Sequence, residues 1–199
     1  VRPEILVLDY GMGNLRSVYN AVKFVGGKPV LVDSPERLGE GKIVIPGVGA
    51  FGSGMRNLEP FLPKLRQVTS SGIPILGICL GLHVMLESSE EAPGLRGMGV
   101  IKGRVAKIRA LPLPHMGWSR VRVLKDTCPL FRNLGDGYAY FVHSYHALPE
   151  EDVTVATVVY GEEVTAAVWK GNLFGVQFHP EKSGSYGLKI LKNFVNLEW

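Results

Sequence analysis

Ile73-Pro74-Ile75-Leu76-Gly77-Ile78-Cys79-Leu80-Gly81-Leu82 runs from an apolar strand into a cysteine held between two glycines, and a helical pattern from Leu82 to Glu87 follows. This is the G-x-nucleophile-x-G pattern with cysteine in place of serine. Such a nucleophile sits on a sharp, strained strand-to-helix turn, and the glycines on either side remove the Cβ atoms that would clash there. The sulfur is then presented above the end of a sheet. A helix starting just after Cys79 adds partial positive charge from its N-terminus, which favours a reactive thiolate. Most free cysteines are small buried hydrophobes, but this setting favours the reactive reading. Cys128, in Asp126-Thr127-Cys128-Pro129, has no such setting and reads as structural or incidental.

Working outward from that turn, the first half of the chain alternates short apolar runs with amphipathic segments, the pattern of βα units around a parallel sheet. Strands are expected over residues 5–9, 28–32, 42–45 and 75–78. Asn14 reads as an N-cap, and Leu15, Val18, Tyr19, Val22 and Val25 recur at helical spacing until Gly26-Gly27. Met55, Leu58, Phe61, Leu62 and Leu65 mark an intervening helix that Pro60 and Pro63 weaken. Beyond residue 98 the texture turns β-rich, with strands expected over 100–108, 120–124, 138–142, 153–159, 165–169 and 172–178. Leu188, Leu191, Phe194, Val195 and Leu197 then share the apolar face of a closing helix. The fold expected is α/β: one domain spanning 1–199, an open, mixed and mainly parallel sheet flanked by helices, with a β-rich C-terminal half.

Composition narrows the partners. With 46% hydrophobic and 20% charged residues the 199-residue chain is neither disordered nor a coiled coil. A net charge of +4 is spread along the chain, and Arg104, Lys107 and Arg109, its densest basic set, read as a solvated strand face. Nucleic acid is therefore not an expected partner. The uncharged stretch from Ile73 to Leu86 is shorter than the ~18 residues of a membrane span. Cys79 and Cys128 lie 49 positions apart, without the spacing of a disulfide framework or a zinc site. The strand-like start Ile5-Leu6-Val7-Leu8 does not resemble a signal peptide. A cytoplasmic protein without metal or cofactor is the expectation.

Gly175-Val176-Gln177-Phe178-His179-Pro180-Glu181 ends another apolar strand with a histidine and, two positions on, a glutamate. In an extended chain those two side chains face the same way, so Glu181 can hold one imidazole nitrogen while the other faces Cys79. His179 would then act as general base toward the thiol and general acid toward a leaving amine. A surface salt bridge is the commoner fate of such a pair, but here a nucleophile ends another parallel strand, where open α/β sheets place ligands. Pro46-Gly47-Val48-Gly49-Ala50-Phe51-Gly52 follows a further strand and spells G-x-G-x-x-G. A dinucleotide site would need that motif after the first strand and an acid about 20 residues later, and the residues there, Gln67 to Ser71, include none. Backbone N–H groups for an oxyanion are the better use: Leu80 as one donor, and Val48 or Gly49 as the second.

These motifs resemble the class I, triad-type glutamine amidotransferases. Within them the chain is most similar to the glutaminase-subunit family of imidazole glycerol phosphate synthase, through Asp9-Tyr10-Gly11-Met12-Gly13-Asn14, Pro46 to Phe51, His115-Met116-Gly117-Trp118, Tyr140-Phe141-Val142-His143-Ser144-Tyr145 and Gly175 to Ser183. The resemblance implies that Cys79, His179 and Glu181 hydrolyse L-glutamine, with His143, Ser144 and Tyr145 binding its backbone. It also implies delivery of ammonia to a separate (β/α)₈-barrel cyclase in a heterodimer of histidine biosynthesis. Hydrolysis would be weak without that partner, with reorientation of Gly47 to Gly49 as the switch. The family often has glutamine four positions after the nucleophile; this chain has His83, whose imidazole covers only part of an amide's donor and acceptor capacity. Met116-Gly117-Trp118 reads as a turn, its Trp118 is a core aromatic or an interface anchor, and the resemblance favours the interface, with Tyr140 and Lys182 beside it. Two other readings stand: a glutaminase serving a different synthase, such as those of anthranilate or guanylate synthesis, and a catalytically silent binding module.

Overall fold

The computed structural model describes residues 1–199. In chain order the elements are β1 (Glu4–Leu8), α1 (Leu15–Phe24), β2 (Lys28–Val32), β3 (Lys42–Ile45), α2 (Phe51–Leu58), α3 (Leu62–Ser70), β4 (Ile75–Ile78), α4 (Leu80–His83), β5 (Ser88–Ser89) and β6 (Gly103–Lys107). They continue with β7 (His115–Val123), β8 (Gly137–His143), β9 (Tyr145–Pro149), β10 (Thr154–Tyr160), β11 (Glu162–Lys170), β12 (Leu173–Val176) and α5 (Gly184–Val195). A nine-stranded sheet has the order β2-β1-β3-β4-β12-β11-β10-β7-β8. From β2 to β12 neighbours run parallel, and from β12 to β8 they run antiparallel. A smaller sheet joins β5, β6 and β9. The α/β class, the mixed sheet and the β-rich second half are as the sequence implied.

Period-two alternation divides the core. Ile5, Val7, Val44, Leu76 and Ile78 face one side of the parallel strands, where they meet Val18 and Val22 of α1 and Ile190, Leu191 and Phe194 of α5. Leu6, Leu8, Ile43, Ile45 and Ile75 face the other, against Phe51, Met55 and Leu58 of α2 and Leu65 and Val68 of α3. Burying each such side chain contributes about 1.5–3 kcal/mol. Because both faces are covered, these strands read as continuous apolar runs and their C-terminal ends open on one edge of the sheet.

Several local expectations need correction. The helix expected through Met55 and Leu65 is two helices with a 3₁₀ turn over Glu59–Phe61 between them; Pro60 lies in that turn and Pro63 in the first turn of α3, where a missing N–H costs nothing. The helix expected from Leu82 to Glu87 is the single turn α4, starting immediately after Cys79. Asn14 precedes α1, but its side chain makes no capping hydrogen bond. Met116-Gly117-Trp118 is not a turn: Gly117, at φ 125°, lies inside β7, and Trp118 pairs across with Tyr140 of β8. The strand Tyr145–Pro149 was not anticipated. It pairs with β6 in the smaller sheet.

Candidate active site

Parallel pairing of β4 with β12 sets Ile78 beside Val176, so the residues following the two strands emerge together. The Cys79 N–H donates to the Val176 carbonyl at 2.8 Å. Cys79 itself has φ 54° and ψ −107°, a left-handed backbone that costs a non-glycine residue about 1–3 kcal/mol. Its glycine neighbours in the motif are required by close approach. A Cβ on Gly77 would overlap the Gly81 carbonyl, and one on Gly81 would overlap the carbonyl oxygen of Ile45. Cys128 is wholly buried in the core, and burial pushes its thiol up to about 11. Only one of the two cysteines stands at a strand end beside an acid–base pair.

That pair lies just past β12. His179 is extended at φ −95° and ψ 99°, and a 3₁₀ turn over Pro180–Lys182 brings the Glu181 carboxylate back to it. The turn, and not a shared strand face, makes the contact. His179 Nδ1 lies 2.8 Å from Glu181 Oε1, and both side chains are almost fully buried. A carboxylate only accepts, so Nδ1 carries the hydrogen and Nε2 keeps its lone pair in the neutral ring. Nε2 is buried, with the Cys79 sulfur as its neighbour. Burial opposes the charged imidazolium, but the neighbouring Cys79 sulfur and the Glu181 carboxylate outweigh it, and the His179 pKa rises from 6.5 to about 9. Backbone and hydroxyl contacts hold the segment. The His179 N–H donates to the Tyr140 carbonyl at 3.0 Å. Ser183 Oγ donates to the His179 carbonyl at 2.6 Å and accepts the Tyr140 N–H at 2.9 Å.

In front of Cys79 lies a cleft of about 430 Å³ lined by Val48, Gly49, Cys79, Leu80, His83, Glu91, Val142, His143, Ser144 and Tyr145. Eight of these ten were singled out from the sequence. A pocket of this size suits a small metabolite. The expected oxyanion donors are adjacent, but the Leu80 N–H points at the Gly47 carbonyl, 3.3 Å away. Tyr10 pins that loop: its buried hydroxyl donates to the Pro46 carbonyl at 2.6 Å. Gly49 sits at φ 114°.

His143 lies at the end of β8, where its Nδ1 donates to the Tyr145 carbonyl at 2.9 Å. Its Nε2 is 2.9 Å from Nδ1 of His115. Burial above all keeps the ring neutral, with a pKa lowered to about 3. Trp118 and Tyr140 form an edge-to-face pair 6.3 Å apart. Trp118 is 57% exposed and is flanked by Met116 and Tyr138, also exposed. Trp118 is therefore a surface aromatic and not a core one. Lys182 is exposed beside Glu181.

Three contributors escaped the sequence reading. Gln177 is wholly buried and bridges His83 and Cys79; its signal was the two-residue spacing to His179. Glu91 enters the cleft from the segment after β5 and accepts the Phe51 N–H at the start of α2. Nothing local marks it. Tyr10 stands in the first loop, and no local pattern shows that its hydroxyl reaches Pro46.

A family model described as "Glutamine amidotransferase class-I" matches residues 6–197. The chain belongs to the class I glutamine amidotransferases. This amidotransferase is 47% identical over 193 residues to the imidazole glycerol phosphate synthase subunit HisH of Methanocaldococcus jannaschii, covering 96% of this chain and 98% of that one. It is 48% identical over 200 residues to the HisH subunit of Thermococcus kodakarensis, covering 97% and 100%. Such identity over nearly whole chains places it among the HisH subunits. Among solved structures, a chain of PurLQS from Thermotoga maritima superposes with a TM-score of 0.78 at 22% identity, covering 98% and 99% of the two chains. The glutaminase domain of Trypanosoma brucei CTPS superposes at 0.66 and 15%, covering 99% and 95%. These two comparisons establish the shared amidotransferase fold.

Proposed function

We propose that residues 1–199 form one amidotransferase domain that hydrolyses L-glutamine through Cys79, His179 and Glu181. The domain then hands the ammonia to a separate (β/α)₈-barrel cyclase making imidazole glycerol phosphate. The observation that carries the reading is the convergence of Cys79 and the buried His179–Glu181 pair at adjacent strand ends, behind a cleft of amino-acid size. His179 takes the thiol proton at Nε2 while Glu181 fixes the ring through Nδ1. The Cys79 sulfur attacks the amide carbon, the C–N bond breaks, and the departing nitrogen takes the proton from His179. Water, deprotonated by the same nitrogen, resolves the glutamyl thioester to glutamate.

His83, His143, Ser144 and Tyr145 serve substrate binding in this reading. The Glu91 carboxylate, at the same cleft, suits the substrate ammonium. The second oxyanion donor is Val48 or Gly49, with Leu80 as the first. Since the Leu80 N–H is occupied by the Gly47 carbonyl, the isolated chain hydrolyses glutamine weakly, and turning the Gly47 to Gly49 backbone completes the site. Trp118, Tyr140 and Lys182 contact the cyclase. The Tyr140 carbonyl that accepts the His179 N–H supplies a short mechanical link between that contact and the catalytic histidine. No helix is long and apolar enough to cross a membrane. A cytoplasmic site of action, with neither nucleic acid nor membrane as partner, fits two unpaired cysteines and a dispersed charge.

The deciding experiment measures glutamate and ammonia release with and without a candidate cyclase and its ligand, using Cys79→Ala as control. Strong stimulation that vanishes in the variant is expected. Equal rates with and without the liganded cyclase would remove the switch, and undiminished turnover in Cys79→Ala would remove the nucleophile.

A further inference from the structure

Gln177 and His179 are two residues apart at the end of β12, and both approach Cys79. The Gln177 side chain is wholly buried, with Nε2 3.6 Å from Cys79 Sγ and Oε1 2.7 Å from His83 Nε2. A thiolate offers only lone pairs, so only the N–H end of the amide can face it attractively. The carbonyl end then faces His83 and requires a hydrogen on His83 Nε2. We propose that Gln177 is a catalytic residue, its amide N–H bracing the Cys79 thiolate, and that His83 is the positioning residue that prevents this amide from flipping.

The inference rests on Cys79 being the nucleophile and deepens that reading. His83 suits the task because burial keeps its ring neutral, with the pKa lowered to about 4, so one nitrogen donates and the other is free. With Nε2–H committed to Gln177, Nδ1 is an acceptor on a residue that also lines the cleft. Amides shed no proton in this cycle. The S–C bond forms and the C–N bond breaks with all proton movement at His179, while Gln177 donates to the sulfur before attack and again once the thioester is hydrolysed. A glutamine amide at position 83 would also be able to donate to Gln177 Oε1.

The test is the rate of Cys79 alkylation by iodoacetamide at pH 7 in the full chain, with kcat and KM for glutamine in the cyclase complex. Hydrogen bonds to a charged group predict a loss of about 10- to 100-fold in alkylation and kcat for Gln177→Leu, with KM within about twofold. His83→Leu falls in the same direction, and His83→Gln recovers most of the loss. Wild-type alkylation in a folded Gln177→Leu overturns the proposal. If that variant does not fold, equal alkylation rates in His83→Leu and His83→Gln overturn it instead. A chloroketone analogue of glutamine separates the two levels: if it fails to label wild-type Cys79 even with the liganded cyclase, the nucleophile reading falls and this inference with it. Labelling with unchanged rates in the variants sinks the inference alone.

Discussion

The two flanks of Cys79 are built differently. On the β12 side the imidazole, its carboxylate and the Gln177 amide are buried, bonded and tied to the backbone of β8. On the loop side the Leu80 N–H is taken by the Gly47 carbonyl, and the segment from Gly47 to Gly49 is side-chain-poor with Gly49 at positive φ. In the proposed reading, the proton-transfer groups are in place before substrate arrives and the oxyanion donors are completed afterwards. The strand end is fixed by packing between two covered faces, whereas the glycine loop is held by hydrogen bonds from the Tyr10 hydroxyl to the Pro46 carbonyl and from the Leu80 N–H to the Gly47 carbonyl.

The sharpest way to break this contrast is to remove the assembled flank's target. Cys79→Ala is expected to lower glutamine hydrolysis in the cyclase complex by about 10⁴-fold or more, as loss of a triad nucleophile does. A glutamate-release assay reads it, and a loss below tenfold would contradict the covalent route.

The loop flank carries the next largest effect. One missing oxyanion donor is worth about 10²- to 10³-fold, and that is the stimulation expected from liganded cyclase. Tyr10→Phe, which frees the Pro46 carbonyl, should raise the unstimulated rate and so shrink the ratio. An unchanged ratio would detach Tyr10 from the switch.

Histidines sharpen the comparison through pH. The His179 pKa is raised in the folded protein, so its contribution to stability is fully present below about 6.5 and is lost as pH rises through about 9. Unfolding free energy should fall over that window in urea titrations, and His179→Gln should lack the slope. His83 and His143 behave oppositely. Burial lowers them to about 4 and about 3, so their contributions hold above pH 6.5 and fade as pH falls through those values.

The smallest effect belongs farthest from the sulfur. Trp118→Ala should weaken cyclase binding by about 30-fold, the scale of an aromatic anchor, with little change in the stability of the free chain. Calorimetric titration reads the affinity, and an unchanged value would reassign that surface.

Legibility followed locality. The elbow was readable because its chemistry lies within five consecutive residues, and the clashes at Gly77 and Gly81 show why no other residue type fits. His179 and Glu181 were readable as a pair, though the 3₁₀ turn after Pro180 delivers the carboxylate by a different route from the extended chain expected. The broken helix around Pro60 was foreshadowed by its prolines. By contrast, the strand through Trp118 was hidden by Gly117, whose turn propensity is overridden by pairing with β8.

By itself, then, the sequence determined the strand runs, the strained cysteine, the glycine loop and the residue types for acid–base work, since each depends on steric and chemical demands of near neighbours. Only the tertiary structure decided that β4 and β12 lie side by side, that Gln177 reaches the sulfur across 98 positions, and that the Leu80 N–H is taken by the Gly47 carbonyl. Those facts depend on which distant segments pair, and pairing is settled by packing of the whole sheet.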